Sequence, residues 1–588
     1  MNGADADVSP ARPHAAPPGA EWWRSAVVYQ VYPRSFADSN GDGVGDLRGI
    51  IEHLDHIAGL GIDVIWLSPV YRSPQDDNGY DISDYEDIDP TFGTLADLDD
   101  LIVAMHERGI KLVMDLVVNH TSDEHPWFID SAASPTSEHA DWYIWRDPKP
   151  GFGPGEPGAE PNNWGSFFSG SAWRFEPRRG QYYLHLFSPK QPDLDWDNPH
   201  VRAAIFGMMN RWLDRGVDGF RMDVINFISK DPDLPDGEVV STGFGDGTPH
   251  FAYGPRIHDH LSEMQREVFA HRPGAYLTVG EMPSTTPERA LRFTDSETGQ
   301  LAMVFQFEHM DLDGGPDGKW TENRATVPDL RASLSRWQLE LGSRGWNSLY
   351  WNNHDQPRVV SRFGDDEHHW FASATALATV LHLQRGTPYV YQGEELGMTN
   401  VPFESIDDYR DIETLNHYAD AVTRRGLDPA VVLAGIRAKS RDNARTPMQW
   451  SAADHAGFSS AEPWIGVNPN HLALNAAAQV DDPASIYGYY RRLIALRHEE
   501  PSVVHGDFAL LLDEHPTVFG YTRSLGDEVL MMLANLSSDA TTLDSSALPP
   551  GPWRLLLANT TDADVDTVPA ILGPWDARVF RRGGTSGA

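Results

Sequence analysis

Short runs of β-branched and aromatic residues alternate with longer amphipathic segments from residue 26 onward. Residues 26–32 (Ala-Val-Val-Tyr-Gln-Val-Tyr), 64–67 (Val-Ile-Trp-Leu) and 111–118 (Lys-Leu-Val-Met-Asp-Leu-Val-Val) read as strands. Between them, 50–58 and 95–107 have apolar residues at helical spacing and stop near Gly59, Gly61 and Gly109. Strand–helix–strand units of this length imply parallel pairing and an α/β fold. The rhythm resumes with a helix at 199–215 and a strand at 217–224. Further strands are expected at 275–280, 303–307, 347–351 and 388–391. Eight strands in this order predict a (β/α)8 TIM barrel.

Two stretches interrupt the pattern. Residues 121–190 are rich in Pro, Gly and Trp and are too long for a plain loop, so they read as a small inserted domain after strand 3, with short strands near 181–186. An acidic, helix-compatible excursion at 403–439 follows strand 8. From residue 506 the pattern changes to short alternating strands at 518–522, 529–533, 553–557 and 577–581. The expected layout is a disordered tail at 1–20, a catalytic barrel from 21–120 and 191–505, the insert at 121–190, and a C-terminal all-β domain, a β-sandwich, at 506–588.

One strand carries an unusual pair. Arg221 and Asp223 are two apart in Gly219-Phe220-Arg221-Met222-Asp223-Val224, so both point to one face. The arginine is close enough to keep the carboxylate ionised. A structural ion pair and an active-site carboxylate both fit this observation.

Composition narrows the partners. A formal net charge of -40 argues against nucleic acid or an anionic membrane. Cysteine is absent, which excludes disulfides and thiolate metal sites. No apolar run reaches 18 residues and residues 1–20 lack an apolar h-region, so the expectation is a cytoplasmic protein, monomer or homodimer, that spans no membrane.

Four strand ends are unusually polar. Strand 3 ends Asp115-Leu116-Val117-Val118-Asn119-His120 and strand 4 ends Arg221-Met222-Asp223. Strand 5 ends Val279-Gly280-Glu281 and strand 7 ends Trp351-Asn352-Asn353-His354-Asp355. Barrel chemistry sits at the C-terminal ends of the strands. Two chemistries compete: metal-dependent hydrolysis with His and Asp ligands, and glycoside hydrolysis by paired carboxylates. The metal reading wants an H-x-H or H-E-x-x-H motif at these strand ends, and neither occurs there. The aromatic-rich insert beside the site favours sugar.

These stretches resemble, in order, the four sequence regions of the α-amylase family of glycoside hydrolases (family 13). The resemblance covers about residues 21–582. It implies Asp223 as nucleophile, Glu281 as general acid/base, and Asp355 as the group that grips sugar hydroxyls and stabilises the transition state. It implies that His120 and His354 bind hydroxyls, and that Arg221 holds Asp223 in its charged form. Within the family the chain is similar to the oligo-1,6-glucosidase and α-glucosidase branch. The stretches that carry this are Asp76-Asp77-Asn78-Gly79-Tyr80-Asp81, Gln191-Pro192-Asp193-Leu194-Asp195 and Ala444-Arg445-Thr446-Pro447-Met448-Gln449-Trp450. In that branch the matching Asp77 and Arg445 close the pocket behind one glucose and Tyr80 stacks beneath it, which implies exo action on a small oligosaccharide or α-glucoside. A surface ion pair is the plain alternative for Arg445. Val224, directly after the nucleophile, accompanies α-1,6 preference in the branch, where Thr accompanies α-1,4. The branch's sucrose isomerases carry Arg-Leu-Asp-Arg-Asp where this chain has Asp311-Leu312-Asp313-Gly314-Gly315. Both arginines are absent, which argues against isomerisation.

The loop Asp38-Ser39-Asn40-Gly41-Asp42-Gly43-Val44-Gly45-Asp46 begins like an EF-hand loop but has Gly49 at the twelfth place. The resemblance implies a structural Ca²⁺ or Mg²⁺ held by Asp38, Asn40, Asp42, the Val44 carbonyl and Asp46. An Asx-turn loop without metal is the alternative. No organic cofactor is expected.

The function expected is a retaining exo-acting α-glucosidase leaning to α-1,6 bonds. A transglucosylase or an α-1,4-preferring maltase of the same branch is the alternative. A non-catalytic binding protein on the same barrel is disfavoured, because the carboxylates are present.

Overall fold

Eight parallel strands carry the near-continuous apolar runs expected of a sheet buried on both faces. They are β1 (Val28–Val31), β2 (Val64–Leu67), β3 (Lys111–Leu116), β4 (Gly219–Met222), β5 (Leu277–Glu281), β6 (Met303–Phe305), β7 (Ser348–Leu349) and β8 (Thr387–Tyr391). In this computed structural model, which describes residues 21–295, 299–315, 318–560 and 567–583, they pair in the order β6-β5-β4-β3-β2-β1-β8-β7. A parallel bridge between Val304 and Asn347 joins the two edges. All eight strands lie where the hydrophobic pattern places them, and the barrel is closed. The expected tail at 1–20 lies outside the described residues.

The helices obey their local signals. Leu95–Glu107 starts on a Thr94/Asp97 capping box, and Pro199–Arg215 starts with Asn198 as cap and Pro199 at its first position. The segment expected as one helix at 50–58 is two, Leu47–Glu52 and Leu54–Leu60, broken at His53 and ended by Gly61 in the left-handed region. At the start of β4 a side chain has no room: a Cβ on Gly219 would lie 2.0 Å from the Leu277 carbonyl oxygen of β5. Glycine there lets β4 and β5 close up.

The stretch after β3 folds into the helix Pro126–Ala133 and a three-stranded antiparallel sheet of Trp145–Arg146, Gln181–Leu184 and Trp173–Glu176. The acidic excursion is helical at Ile412–Ala419 and Pro429–Lys439. At the C-terminal end, β9 (Asp507–Leu511), β10 (Val518–Leu525), β11 (Glu528–Asn535), β12 (Arg554–Ala558) and β13 (Ala577–Arg582) form an antiparallel sheet in the order β9-β10-β11-β13-β12. Alternation divides its faces. Phe519, Tyr521 and Met532 join the barrel core, while Val518, Met531 and Phe580 pack with Leu543 and Leu572. The second layer of the expected sandwich is a two-stranded ribbon, Thr541–Thr542 with Ile571–Leu572. Among the described residues, no helix is long and apolar enough to cross a membrane.

Candidate active site

Register brings the first charges together. Asp115 on β3 and Val279 on β5 both pair with Arg221 on β4. The buried Arg221 guanidinium then meets three carboxylates at once. Its Nη1 lies 2.7 Å from Asp223 and 2.8 Å from Asp115, and its Nη2 lies 2.8 Å from Glu281. Asp115 also accepts from Trp66 Nε1 at 3.0 Å and from the Tyr80 hydroxyl at 2.9 Å. The main-chain N–H of Val224 donates to Glu281 at 3.1 Å.

This arrangement corrects one expectation. Arg221 touches Asp223, as the two-residue spacing implies, but it does not serve that carboxylate alone. Burial raises the Asp223 carboxyl well above its ordinary value, Arg221 opposes this, and Glu281 and Asp115 reinforce it. One guanidinium cannot balance three buried carboxylates.

A second cluster centres on Asp355. Asp355 accepts from Arg445 Nη2 at 2.7 Å and from Arg441 Nη1 at 3.3 Å, with His354 Nε2 at 3.0 Å. Burial alone would raise its pKa, but His354, Arg441 and Arg445 outweigh burial and hold the carboxyl well below the carboxylate range. Arg441 reaches on to Asp77 at 3.0 Å and to Asp411. Burial raises the Asp77 carboxyl despite both arginines. The loop that presents Asp77 is folded on Asp81, whose carboxylate accepts the N–H groups of Asp76 at 2.9 Å and Asp77 at 3.0 Å.

The rings stack between these clusters. Tyr80 lies parallel to His354, with ring centres 5.1 Å apart. His354 Nδ1 faces the Gln30 amide at 2.8 Å. Burial drops His120 to about 4, so it is neutral at physiological pH. Its Nε2 faces the Tyr80 carbonyl at 3.1 Å. Gln191 Nε2 bridges Asp77 at 3.1 Å and the Tyr80 carbonyl at 3.2 Å. Beside His120 an aromatic rim begins: Phe187 is 5.2 Å from the His120 ring, and the 46% exposed Phe167 stacks on Phe187 and Phe227.

The structure thus gathers Asp223, Glu281, Arg221 and Val224 in one cluster and Asp355, His354, Asp77, His120 and Arg445 in another, and Tyr80 joins them by bonding Asp115 and stacking on His354. Sequence reading missed Arg441, Asp411 and the role of Asp115. Arg441 sits one helical turn before Arg445, a spacing that puts both on one face. Asp411 has no local signal beyond the acidity of its segment.

The loop at 38–46 is turned inward on its own backbone. Asp38 accepts from Asn40, Gly41 and Gly43 N–H groups at 3.0, 2.7 and 2.8 Å, and from the Ser459 hydroxyl. Asp46 accepts from Ser39 and caps the next helix at Gly49. Asp42 accepts from the Val44 N–H at 2.9 Å. The donor set is one of hard oxygens, as calcium and magnesium prefer. Among the described residues, no three acidic or histidine side chains converge as metal ligands.

Comparison with known proteins bears on this geometry. The α-amylase catalytic-domain family matches residues 30–506. The oligo-1,6-glucosidase of Parageobacillus thermoglucosidasius is 54% identical over 566 residues, covering 95% of this chain and 99% of that protein. The trehalose-6-phosphate hydrolase of Bacillus licheniformis superposes with a TM-score of 0.89 at 45% identity, covering 95% of this chain and 99% of the other. An isomaltulose synthase of Erwinia rhapontici NX5 gives 0.89 at 40% identity, covering 96% and 99%. Barrel, strand-end carboxylates and near-full-length similarity agree: the chain belongs to the α-amylase family of glycoside hydrolases.

Proposed function

We propose that the protein is a retaining, exo-acting α-glucosidase that releases glucose from the non-reducing ends of short α-glucosides, leaning to α-1,6 linkages. The observation that carries this reading is the sharing of the Arg221 guanidinium by Asp223 and Glu281. Retaining enzymes hold their two carboxyl groups about 5–5.5 Å apart, and inverting enzymes about 6.5–9.5 Å. Two carboxylates on adjacent nitrogens of one guanidinium favour the shorter class.

The roles follow. An Asp223 oxygen attacks the anomeric carbon as the glycosidic C–O bond breaks, and Glu281 gives its proton to the leaving oxygen. Water then attacks the same carbon, Glu281 takes its proton, and the bond to Asp223 breaks. The Asp223–Glu281 pair needs one proton at the start, and three carboxylates around one guanidinium retain one readily. Retaining chemistry requires that proton on Glu281 and an ionised Asp223 when the bond breaks, and the positive charge developing on the sugar stabilises the Asp223 carboxylate. Asp355, kept ionised by His354, Arg441 and Arg445, binds sugar hydroxyls. Asp77 and Arg445 close the pocket end, Tyr80 lies beneath the ring, and His120 and His354 contribute polar contacts.

The linkage lean rests on Val224 and on the name of the 54% identical relative. Transglucosylation is the second reading, favoured by the exposed Phe167 ring on the rim, where an acceptor sugar could stack. Proton NMR of isomaltose, maltose and sucrose digests tests both. α-Glucose appearing first from isomaltose supports the proposal, β-glucose appearing first rejects retention, and higher oligosaccharides at high substrate identify transfer.

We also propose a divalent cation in the loop at Asp38, Asn40, Asp42, Val44 and Asp46, on the chemistry of its donors alone. It would offset three carboxylates within nine residues and takes no part in the reaction.

A further inference from the structure

Four arginines gather at the base of the barrel, away from the catalytic strand ends. Arg24 precedes β1 and Arg385 precedes β8, so both lie at the N-terminal ends of strands. Arg497 lies in the helix Ile486–Glu499 and Arg523 in β10 of the C-terminal sheet. The Arg24 and Arg385 guanidinium carbons are 4.9 and 5.0 Å from the same Trp346 ring centre. Arg497 reaches the Arg24 carbonyl at 3.4 Å and the carbonyls of His382 and Gln384 at 2.6 and 3.1 Å. Arg523 donates to the Val503 carbonyl at 3.0 Å.

What is missing is negative charge. Arg24 pairs with Glu21 at 2.7 Å. Among the described residues, no carboxylate comes within ion-pair distance of Arg385, Arg497 or Arg523, in a chain whose net charge is -40. Asp507 on β9 acts on Arg385 and Arg523 from a distance, but its side chain is exposed and contacts neither. Arg497 and Arg523 are 1% and 0% exposed. Nε and Nη1 of Arg523, Nε of Arg497 and Nε of Arg24 are buried donors that meet no acceptor. Burial, then the neighbouring arginines, lower Arg497 to about 9 and Arg385 and Arg523 to about 10. All three stay charged at neutral pH. An unpaired buried guanidinium is strongly destabilising, and several sharing one junction more so.

We propose that this junction binds a small inorganic anion, a halide or a tetrahedral oxyanion, on the free donors of Arg523, Arg497 and Arg24 beside Arg385, and that the anion fastens the C-terminal sheet to the barrel base. The site lies at the opposite ends of the strands from Asp223 and Glu281, so its occupancy acts on stability rather than on the chemical step.

The test uses the full-length protein in sodium gluconate at fixed pH and ionic strength. Gluconate is replaced stepwise by chloride in one arm and by sulfate in another, and thermal melting is followed. A saturable rise in Tm with chloride identifies a halide site, and one with sulfate identifies an oxyanion site. Arg385→Gln, at a half-buried position, should weaken the midpoint about tenfold, the worth of one charge-assisted hydrogen bond. Arg523→Gln should abolish the saturable part if it folds. Crystals soaked in bromide, or in selenate for the oxyanion case, should show an anomalous peak among these guanidiniums. A Tm that is identical in all salts, or that rises without a plateau, or that responds equally in Arg385→Gln, overturns the proposal, as does an empty anomalous map.

Discussion

The main-chain N–H of Val224 donates to the Glu281 carboxylate at 3.1 Å. Val224 makes this contact from φ 35, in the left-handed region that a β-branched side chain disfavours. Such a conformation costs about 1–3 kcal/mol and persists only where surrounding contacts enforce it. Here the side chain packs in a buried cluster with Ile144, Phe227 and Phe251. The residue after the proposed nucleophile thus orients the proposed acid and lines the apolar side of the pocket together.

Val224→Thr keeps the volume and backbone and adds a hydroxyl at this point. The maltose-to-isomaltose ratio of kcat/KM should rise about tenfold, within the range of a single-group change in a pocket. Measuring kcat/KM on both disaccharides decides it, and an unchanged ratio removes Val224 from the linkage argument.

Two isosteric substitutions should move stability in opposite directions. The folded-state pKa of Asp223 is raised, so its contribution to stability is lost as pH rises above the ordinary aspartate value, and the loss is complete once pH passes the folded value. Asp223→Asn removes one of the three carboxylates around Arg221. Its Tm should exceed the wild type at pH 7, with the gain vanishing as pH falls toward the ordinary aspartate value of about 4. Activity should drop at least about a thousandfold with the proposed nucleophile gone. A lower Tm at pH 7 would contradict the charge count.

Asp355 has the reverse sign. Its folded-state pKa is depressed, so its contribution to stability is complete above about pH 4 and is lost as pH falls through the folded value. Asp355→Asn should destabilise at pH 7 by about 1.5–3 kcal/mol, the worth of hydrogen bonds to a charged group, because Asp355 is partly exposed while Arg445 is buried. Urea unfolding at pH 7 and pH 3 measures this, and equal midpoint losses at both would be inconsistent with it.

Removing the proposed cation should lower Tm, because Asp38, Asp42 and Asp46 would then repel without a counter-ion. Melting before and after EDTA, with Ca²⁺ and Mg²⁺ added back, reads the effect. No change on chelation would leave the N–H groups of Asn40, Gly41, Gly43, Val44 and Gly49 as the loop's sole support.

The barrel was legible because short apolar runs, too short for helices, alternate with longer amphipathic segments. The shortest strand, Ser348–Leu349, still announced itself through the polar residues that follow it. Single-residue neighbours were legible too: Arg221 does touch Asp223. What was not legible is sharing. Asp115 meets Arg221 because β3 and β4 pair in one particular register, and that register is a product of the closed barrel. The same limit hid Asp411, which reaches Arg441 only when the excursion after β8 folds back over the pocket.

Arg441 is where these effects converge. It contacts Asp77, Asp355 and Asp411, while Arg445 contacts only the last two of these. Removing it leaves Asp77 with the neutral Gln191 amide as its side-chain donor, while burial already pushes its carboxyl upward. With Arg441→Gln, the Asp77 carboxyl should rise further and protonate more readily, weakening its proposed hold on the terminal glucose. Because Asp77 is proposed to bind the substrate and its transition state alike, KM should rise about tenfold or more while kcat changes less. Arg441→Lys restores the charge without the planar fork, so it should recover part of the KM and none of the bidentate geometry. Steady-state kinetics on isomaltose across pH 5–8 separates the two. A rise in KM that grows toward low pH supports Asp77 protonation, whereas a fall in kcat at constant KM would move Arg441 from the binding end of the pocket to the reacting bond.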